Sequence, residues 1–161
     1  MEPEEKEALA LLVRKANRLA AEQKLDEAAE LLDQVLDRDP GNVGALDVLG
    51  FVRYFQGDAE AALECCRRSL AIEPAGAYAL KGMGICLAEI GEVDEGIAAL
   101  EKAIALRPDW ADPHHDLGVV LLKAGYHERA LPHFERAVEL SPKMKGKLRL
   151  LMAKLRAKTE K

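Results

Sequence analysis

Aromatic residues are scarce in this sequence. Phe, Trp and Tyr make up 4% of its 161 residues, while Ala, Leu, Glu, Lys and Arg dominate, a composition that favours helices. No apolar run approaches the roughly 20 residues needed to span a bilayer. The N-terminus opens on acidic residues and lacks the basic, apolar and small-residue order of a secretory signal, so the cytoplasm is the expected location. Cysteine is equally sparse. Cys65, Cys66 and Cys86 are an odd number in a chain without that signal, which argues against a disulfide framework. No CxxC pair completes a zinc site around them, so they read as small core residues. Catalytic signatures are missing too. There is no phosphate loop, dinucleotide fingerprint or nucleophile elbow. None of His114, His115, His127 and His133 has the spacing, with Glu, of a zinc-protease helix. The chain is therefore expected to be no enzyme and to need no cofactor and no metal.

What is present is a hydrophobic content of 49%, enough for the core of one domain. Charge is unevenly spread. Residues 1–142 carry 15 Lys/Arg against 27 Asp/Glu, a balance of −12, and residues 143–161 carry 8 against 1, a balance of +7, summing to the net −5. An acidic body repels phosphates, which excludes nucleic acid as the natural partner.

The strongest signal is a period. Pro40, Pro74, Pro108 and Pro142 are each 34 residues apart. Gly50, Gly84 and Gly118 keep the same interval, as do Gly57, Gly91 and Gly125, and as do Ala28, Ala62, Gly96 and Ala130. A fixed period of this length marks a stacked repeat. A glycine inside a helix costs roughly 1 kcal/mol relative to Ala, so the 50/84/118 set implies close approach of a neighbouring helix. The 57/91/125 set ends a first helix in the αL conformation. Acidic residues such as Asp58, Glu60, Asp94 and Glu95 then open a second helix, where they complement its dipole. Each proline stops that second helix. The period predicts helices near 3–21, 25–38, 43–55, 59–72, 77–89, 93–106, 111–124, 127–140 and 143–158. Pro113 fits the first turn of its helix, and Pro132 is placed to delay or bend the start of the eighth.

These residues resemble the tetratricopeptide repeat family. The third repeat places Leu80, Met83, Gly84, Gly91, Gly96, Leu100, Ala103 and Pro108 at the family's slots, and the fourth places Leu117, Gly118, Gly125, Ala130, Phe134, Ala137 and Pro142. His114 departs where a large apolar residue is usual, and the first repeat has Lys15 for Leu and Gln23 for the turn glycine. The resemblance implies an all-α fold: a right-handed α-solenoid of four TPR helix-turn-helix repeats, about 9–42, 43–76, 77–110 and 111–144, in one domain over residues 1–161. A capping helix near 143–158 closes it. Met144, Leu148, Leu151 and Leu155 form that helix's apolar stripe, and its lysines and arginines lie mostly off it. Docking of the basic face on an acidic partner or anionic membrane is the lesser reading of this helix.

In the family, the first helices of the repeats line a concave surface that binds another protein or peptide. Carried over, repeat one offers Asn17 and repeat two offers Asp47, Phe51, Tyr54 and Phe55. Repeat three offers Tyr78, Lys81, Ile85 and Glu89, and repeat four offers His115, Val119, Leu122 and Lys123. Four of the chain's seven aromatic residues fall in this set, which points to an apolar groove floor. The Lys/Asn clamp of chaperone-binding members is broken, because Val13 replaces the expected Lys and Phe51 and Gly82 stand at two polar slots. Trp110, at a repeat junction, is expected to lock repeats three and four together. The resemblance thus implies a non-enzymatic protein–protein interaction adaptor or scaffold. The alternative it allows is a self-associating scaffold of a larger bacterial assembly of pilus, secretion or magnetosome type, and so a homo-oligomer.

Overall fold

The computed structural model describes residues 2–159. Nine α-helices follow in order: α1 (Pro3–Ala21), α2 (Leu25–Arg38), α3 (Val43–Phe55), α4 (Ala59–Ile72), α5 (Ala77–Glu89), α6 (Val93–Leu106), α7 (Ala111–Lys123), α8 (His127–Leu140) and α9 (Lys145–Thr159). A 3-10 turn, Pro142–Met144, precedes the last, so α9 begins two residues later than the period predicts. Consecutive helices pack as hairpins, and each hairpin packs on the next. The first helices also approach one another closely, α1 on α3, α3 on α5 and α5 on α7, whereas among the described residues no second helix brings its backbone as close to the next second helix, and α6 and α8 meet through the long Arg129–Glu101 pair at 3.8 Å. Tight packing on one side and splaying on the other bends the stack into a right-handed superhelix lined inside by α1, α3, α5 and α7.

Local chemistry sets the helix ends. Gly57, Gly91 and Gly125 adopt φ of +87°, +98° and +86°, in the left-handed region that a side chain disfavours. Gln23 holds the same position in the first hairpin at φ +64°, without that freedom. Asn42 and Asp58 cap α3 and α4, each side-chain oxygen accepting a backbone N–H three residues on. Pro132 lies inside α8, yet the helix begins at His127. The start is not delayed: Pro132 is the sixth helical residue, past the N–H groups that lack intrahelical partners, and it removes the single bond to the Glu128 carbonyl without stopping the helix.

The interior glycines are not equivalent. A Cβ on Gly84 would lie 2.6 Å from Leu100 Cγ and 2.8 Å from the Gly96 carbonyl oxygen, and a Cβ on Gly96 would lie 2.6 Å from the Gly84 carbonyl. α5 and α6 therefore meet backbone to backbone. A Cβ on Gly118 would strike the fully buried Phe134 ring at 2.8 Å, whereas one on Gly50 would meet Cys65 at an ordinary 3.4 Å. At the C-terminal end, Leu148, Met152 and Leu155 of α9 are buried in the same core as Phe134 and Leu121. Met144 and Leu151 pack at its edge. Arg156 donates from Nε and Nη2 to Glu135 Oε1 of α8 at 3.2 and 2.7 Å. Leu150 stays 67% exposed. The three cysteines are buried and unbridged.

Two polar contacts interrupt this apolar interior: fully buried Ser69 donates to Asp47, and a histidine pair lies between α7 and α8. His114 of α7 is buried, and His133 of α8 is half-buried beside it. Burial pushes both imidazoles below the ordinary value of 6.5. The unfolded chain therefore binds protons more readily than the folded one, so acidification through about 6.5 removes stability. Thermal melting is expected to fall between about pH 7.5 and pH 5, and His114→Leu is expected to flatten that fall. An equally steep fall in the variant would remove the pair as its cause.

Candidate functional site

The concave face holds one cavity of about 560 Å³. Its walls come from three first helices at successive turns: Asp47, Phe51, Tyr54 and Phe55 of α3; Tyr78, Lys81, Ile85 and Glu89 of α5; and His115, Asp116, Val119 and Lys123 of α7. Second helices add floor atoms through Cys66 of α4 and Val93 of α6. Eleven of the thirteen residues selected from the sequence thus line one space. Asn17 does not; it is exposed on α1, outside the cavity walls. Leu122 does not either, since its side chain packs on the core around Phe134. Neighbouring helix positions point about 100° apart, and here Lys123 faces the groove while Leu122 turns inward.

The α3 wall is an aromatic cluster. Phe51 and Phe55 have ring centroids 4.5 Å apart, and Tyr54 meets Phe55 edge-on at 5.4 Å. Phe55 remains 52% exposed. On α5, Tyr78 stacks on Trp110 at 6.1 Å and 18°. Trp110 is the N-cap residue of α7, so this stack joins the third and fourth hairpins across their junction. Arg107 covers the Trp110 ring at 4.5 Å, which leaves the stack flanked by cationic groups.

Two ion pairs carry most of the charge in the groove. Lys81 Nζ lies 3.4 Å from Asp116 Oδ2, with both side chains at most 20% exposed. It also stands 5.6 Å from the Tyr78 and Trp110 ring centroids. His115 Nδ1 lies 3.2 Å from the other Asp116 oxygen. Asp116 was not among the residues selected from the sequence. The signal for it was Lys81 itself, since an ammonium so enclosed calls for a carboxylate on the next first helix. At the rim, Lys123 and Glu89 pair at 3.5 Å across α5 and α7. Asp47 accepts a 2.6 Å hydrogen bond from Ser69 Oγ, and burial raises its pKa against the pull of that bond.

No reactive nucleophile results. Burial pushes the Cys66 and Cys86 thiols up to about 12 and about 11 and the Tyr78 phenol up to about 12. All three are neutral near pH 7, so the thiolate that cysteine chemistry requires is scarce. Among the described residues, no group of three or more His, Cys, Asp or Glu is placed to hold a metal ion. What the groove offers is apolar and aromatic surface with two compensated ion pairs and the Asp47 carboxyl held by Ser69.

Known proteins agree with this architecture. Family models described as tetratricopeptide repeat match residues 13–77 and 75–143. PilF of Pseudomonas aeruginosa is 24% identical over 96% of this chain and 70% of that one, with a TM-score of 0.83. A MamA fragment of Desulfovibrio magneticus is 26% identical over 84% of this chain and 76% of that one, with a TM-score of 0.71. The TPR protein TTC0263 of Thermus thermophilus is 20% identical over 94% of this chain and 82% of that one, with a TM-score of 0.80. No curated protein matches the sequence. With the 34-residue period, the phased glycines and two adjoining matches that together span residues 13–143, the chain belongs to the tetratricopeptide repeat family.

Proposed function

We propose that this protein–protein interaction scaffold is a non-enzymatic adaptor of the cytoplasm, and that it binds a peptide or helix of a partner in the groove walled by α3, α5 and α7. The observation that carries the reading is Phe55. It is a large apolar side chain, half exposed, at the edge of an aromatic cluster that opens into a 560 Å³ cavity. Aromatic side chains in such positions are the usual anchors of protein interfaces. The compensated pairs Lys81–Asp116 and Lys123–Glu89 fix orientation and do not select a strongly charged ligand. No described helix is long and apolar enough to cross a membrane.

A short segment held in such a groove binds near micromolar, about −8 kcal/mol. Phe55→Ala leaves the hairpin cores intact, because its side chain is exposed. It is expected to weaken partner binding by about tenfold or more with helicity unchanged. Titration of the captured partner against wild type and variant, with circular dichroism as the control, measures this. Equal affinities would remove the groove from the interface.

A further inference from the structure

The last helix carries two apolar faces. Leu148, Met152 and Leu155 are buried against the fourth hairpin. A second line, Gly146, Leu150, Ala153 and Ala157, has the spacing i, i+4, i+7, i+11 and is exposed at every position. Leu150, at 67%, is the most exposed large apolar side chain among the described residues, and a Cβ on Gly146 would meet nothing within 4 Å. Cations border this line on both sides. At about 100° per residue, Lys147, Lys154 and Lys158 cluster on one flank and Lys145, Arg149 and Arg156 on the other, each flank about 90° from the line. Arg156 is held by Glu135 of α8. Among the described residues the other five cations form no ion pair. At the end of α9, Lys158 borders a depression with Tyr126, Glu128 and Arg129, where Tyr126 is 46% exposed. Closing the stack needs only the inner face of α9, so the cap does not explain the outer one.

We propose that this outer face docks the protein on an anionic lipid bilayer, with α9 lying in the plane of the interface, Leu150 at the acyl boundary and the flanking cations among the phosphate headgroups. Charge complementarity carries the choice of partner. Residues 143–161 hold 8 Lys/Arg against 1 Glu, a balance of +7 at one end of an otherwise acidic chain. A helix with cations on both flanks of a narrow apolar line presents all of them to a flat surface at once, and long lysine stems reach headgroups from its sides. Most of these cations are lysines, which act as point charges, whereas the carboxylates of a protein partner are better matched by arginine forks. A stable protein interface also buries about 800 Å² per partner around an apolar core, and one leucine among alanines supplies little of that. A nucleic acid backbone would use the charge and leave Leu150 and Tyr126 idle. A headgroup layer uses both, since tyrosine rests well where apolar and wet regions meet. The acidic body does not cancel the attraction, because the inner face of α9 is turned to it and screening acts beyond about 8 Å at physiological salt. No α9 residue lines the groove, so attachment leaves it open. With one leucine and no covalent lipid, the attachment is weak and reversible.

The test is flotation of the full chain with vesicles of phosphatidylcholine containing about 30% phosphatidylglycerol, beside vesicles of phosphatidylcholine alone. The chain is expected to float with the anionic vesicles only, and to be released by about 0.5 M NaCl. Each lysine near an anionic surface contributes about fivefold, so Lys147→Gln, Lys154→Gln and Lys158→Gln together are expected to weaken binding about a hundredfold. Leu150→Ser is expected to weaken it about threefold or more with the charge unchanged, an effect that attraction by charge alone would not show. All four side chains are exposed, and an unchanged melting temperature of each variant is the control. No flotation, equal flotation with neutral vesicles, full flotation of the triple variant, or no effect of Leu150→Ser overturns the proposal. Absence of flotation together with binding of polyglutamate or of an RNA duplex would give the face to an acidic protein or to nucleic acid instead.

Discussion

Gly84→Ala is expected to lower stability by about 3 kcal/mol, near the upper end for overpacking. The added methyl would lie 2.6 Å from Leu100 Cγ and 2.8 Å from the Gly96 carbonyl oxygen. A backbone carbonyl cannot rotate away as a side chain can, so α5 and α6 must separate. In a chain of this length that loss lowers the melting temperature by about 6–12 °C. Gly50→Ala provides the contrast. It occupies the same phase of the repeat, but its methyl meets Cys65 at 3.4 Å. The substitution also gains roughly 1 kcal/mol of helix propensity. It is therefore expected to be neutral or stabilising. Differential scanning calorimetry of both variants separates close approach from repeat phase, and equal effects would contradict the account.

Removal of residues 143–161 is expected to cost still more. Leu148, Met152 and Leu155 are at most 8% exposed and pack on the core that includes Phe134 and Leu121. Burial of each contributes roughly 1.5–3 kcal/mol, so the truncation loses about 5 kcal/mol or more and opens the end of the stack to water. That is comparable to the whole stability of many domains. Light scattering and thermal melting should show aggregation well below the wild-type transition. A monodisperse truncation with unchanged melting would mean that α9 does not close the solenoid.

Much of this architecture is legible in the sequence because a repeat states its rules several times. Gly57, Gly91 and Gly125 mark left-handed turns, Pro40, Pro74, Pro108 and Pro142 mark helix ends, and a pattern repeated in phase outweighs any single propensity. The 3-10 turn Pro142–Met144 is only partly legible: its bond from Met144 N–H to the Ser141 carbonyl repeats the turns that end at Asn42, Gly76 and Trp110, and only the added bond from Lys145 N–H to the Pro142 carbonyl has no counterpart among them. Met152 was missed for a related reason. It and Leu151 flank the same face of α9, and only packing against α8 decides which is buried. In the groove, position within the first helices located the aromatic wall and Lys81, because the α3, α5 and α7 helices share one orientation. From the same positions, Asn17 and Leu122 do not line this cavity, because α1 lies beyond it and α7 turns Leu122 to the core. Position alone overlooked Asp116 because that residue's place in the groove follows from Lys81 and not from the period. The facing of His114 and His133 likewise depends on how α7 and α8 pack, although the replacement of two apolar positions in one repeat was already visible in the sequence.

The central claim is that a partner lies in the concave groove and not on the outer face. A photo-crosslinking side chain at position 55, in the groove, and another at position 106, on exposed Leu106 at the end of α6, test it most directly. One partner is expected to be captured covalently from position 55 and not from position 106, and the capture is expected to be lost when Tyr78→Ala is added. Capture of that partner from position 106 with none from position 55 would contradict it.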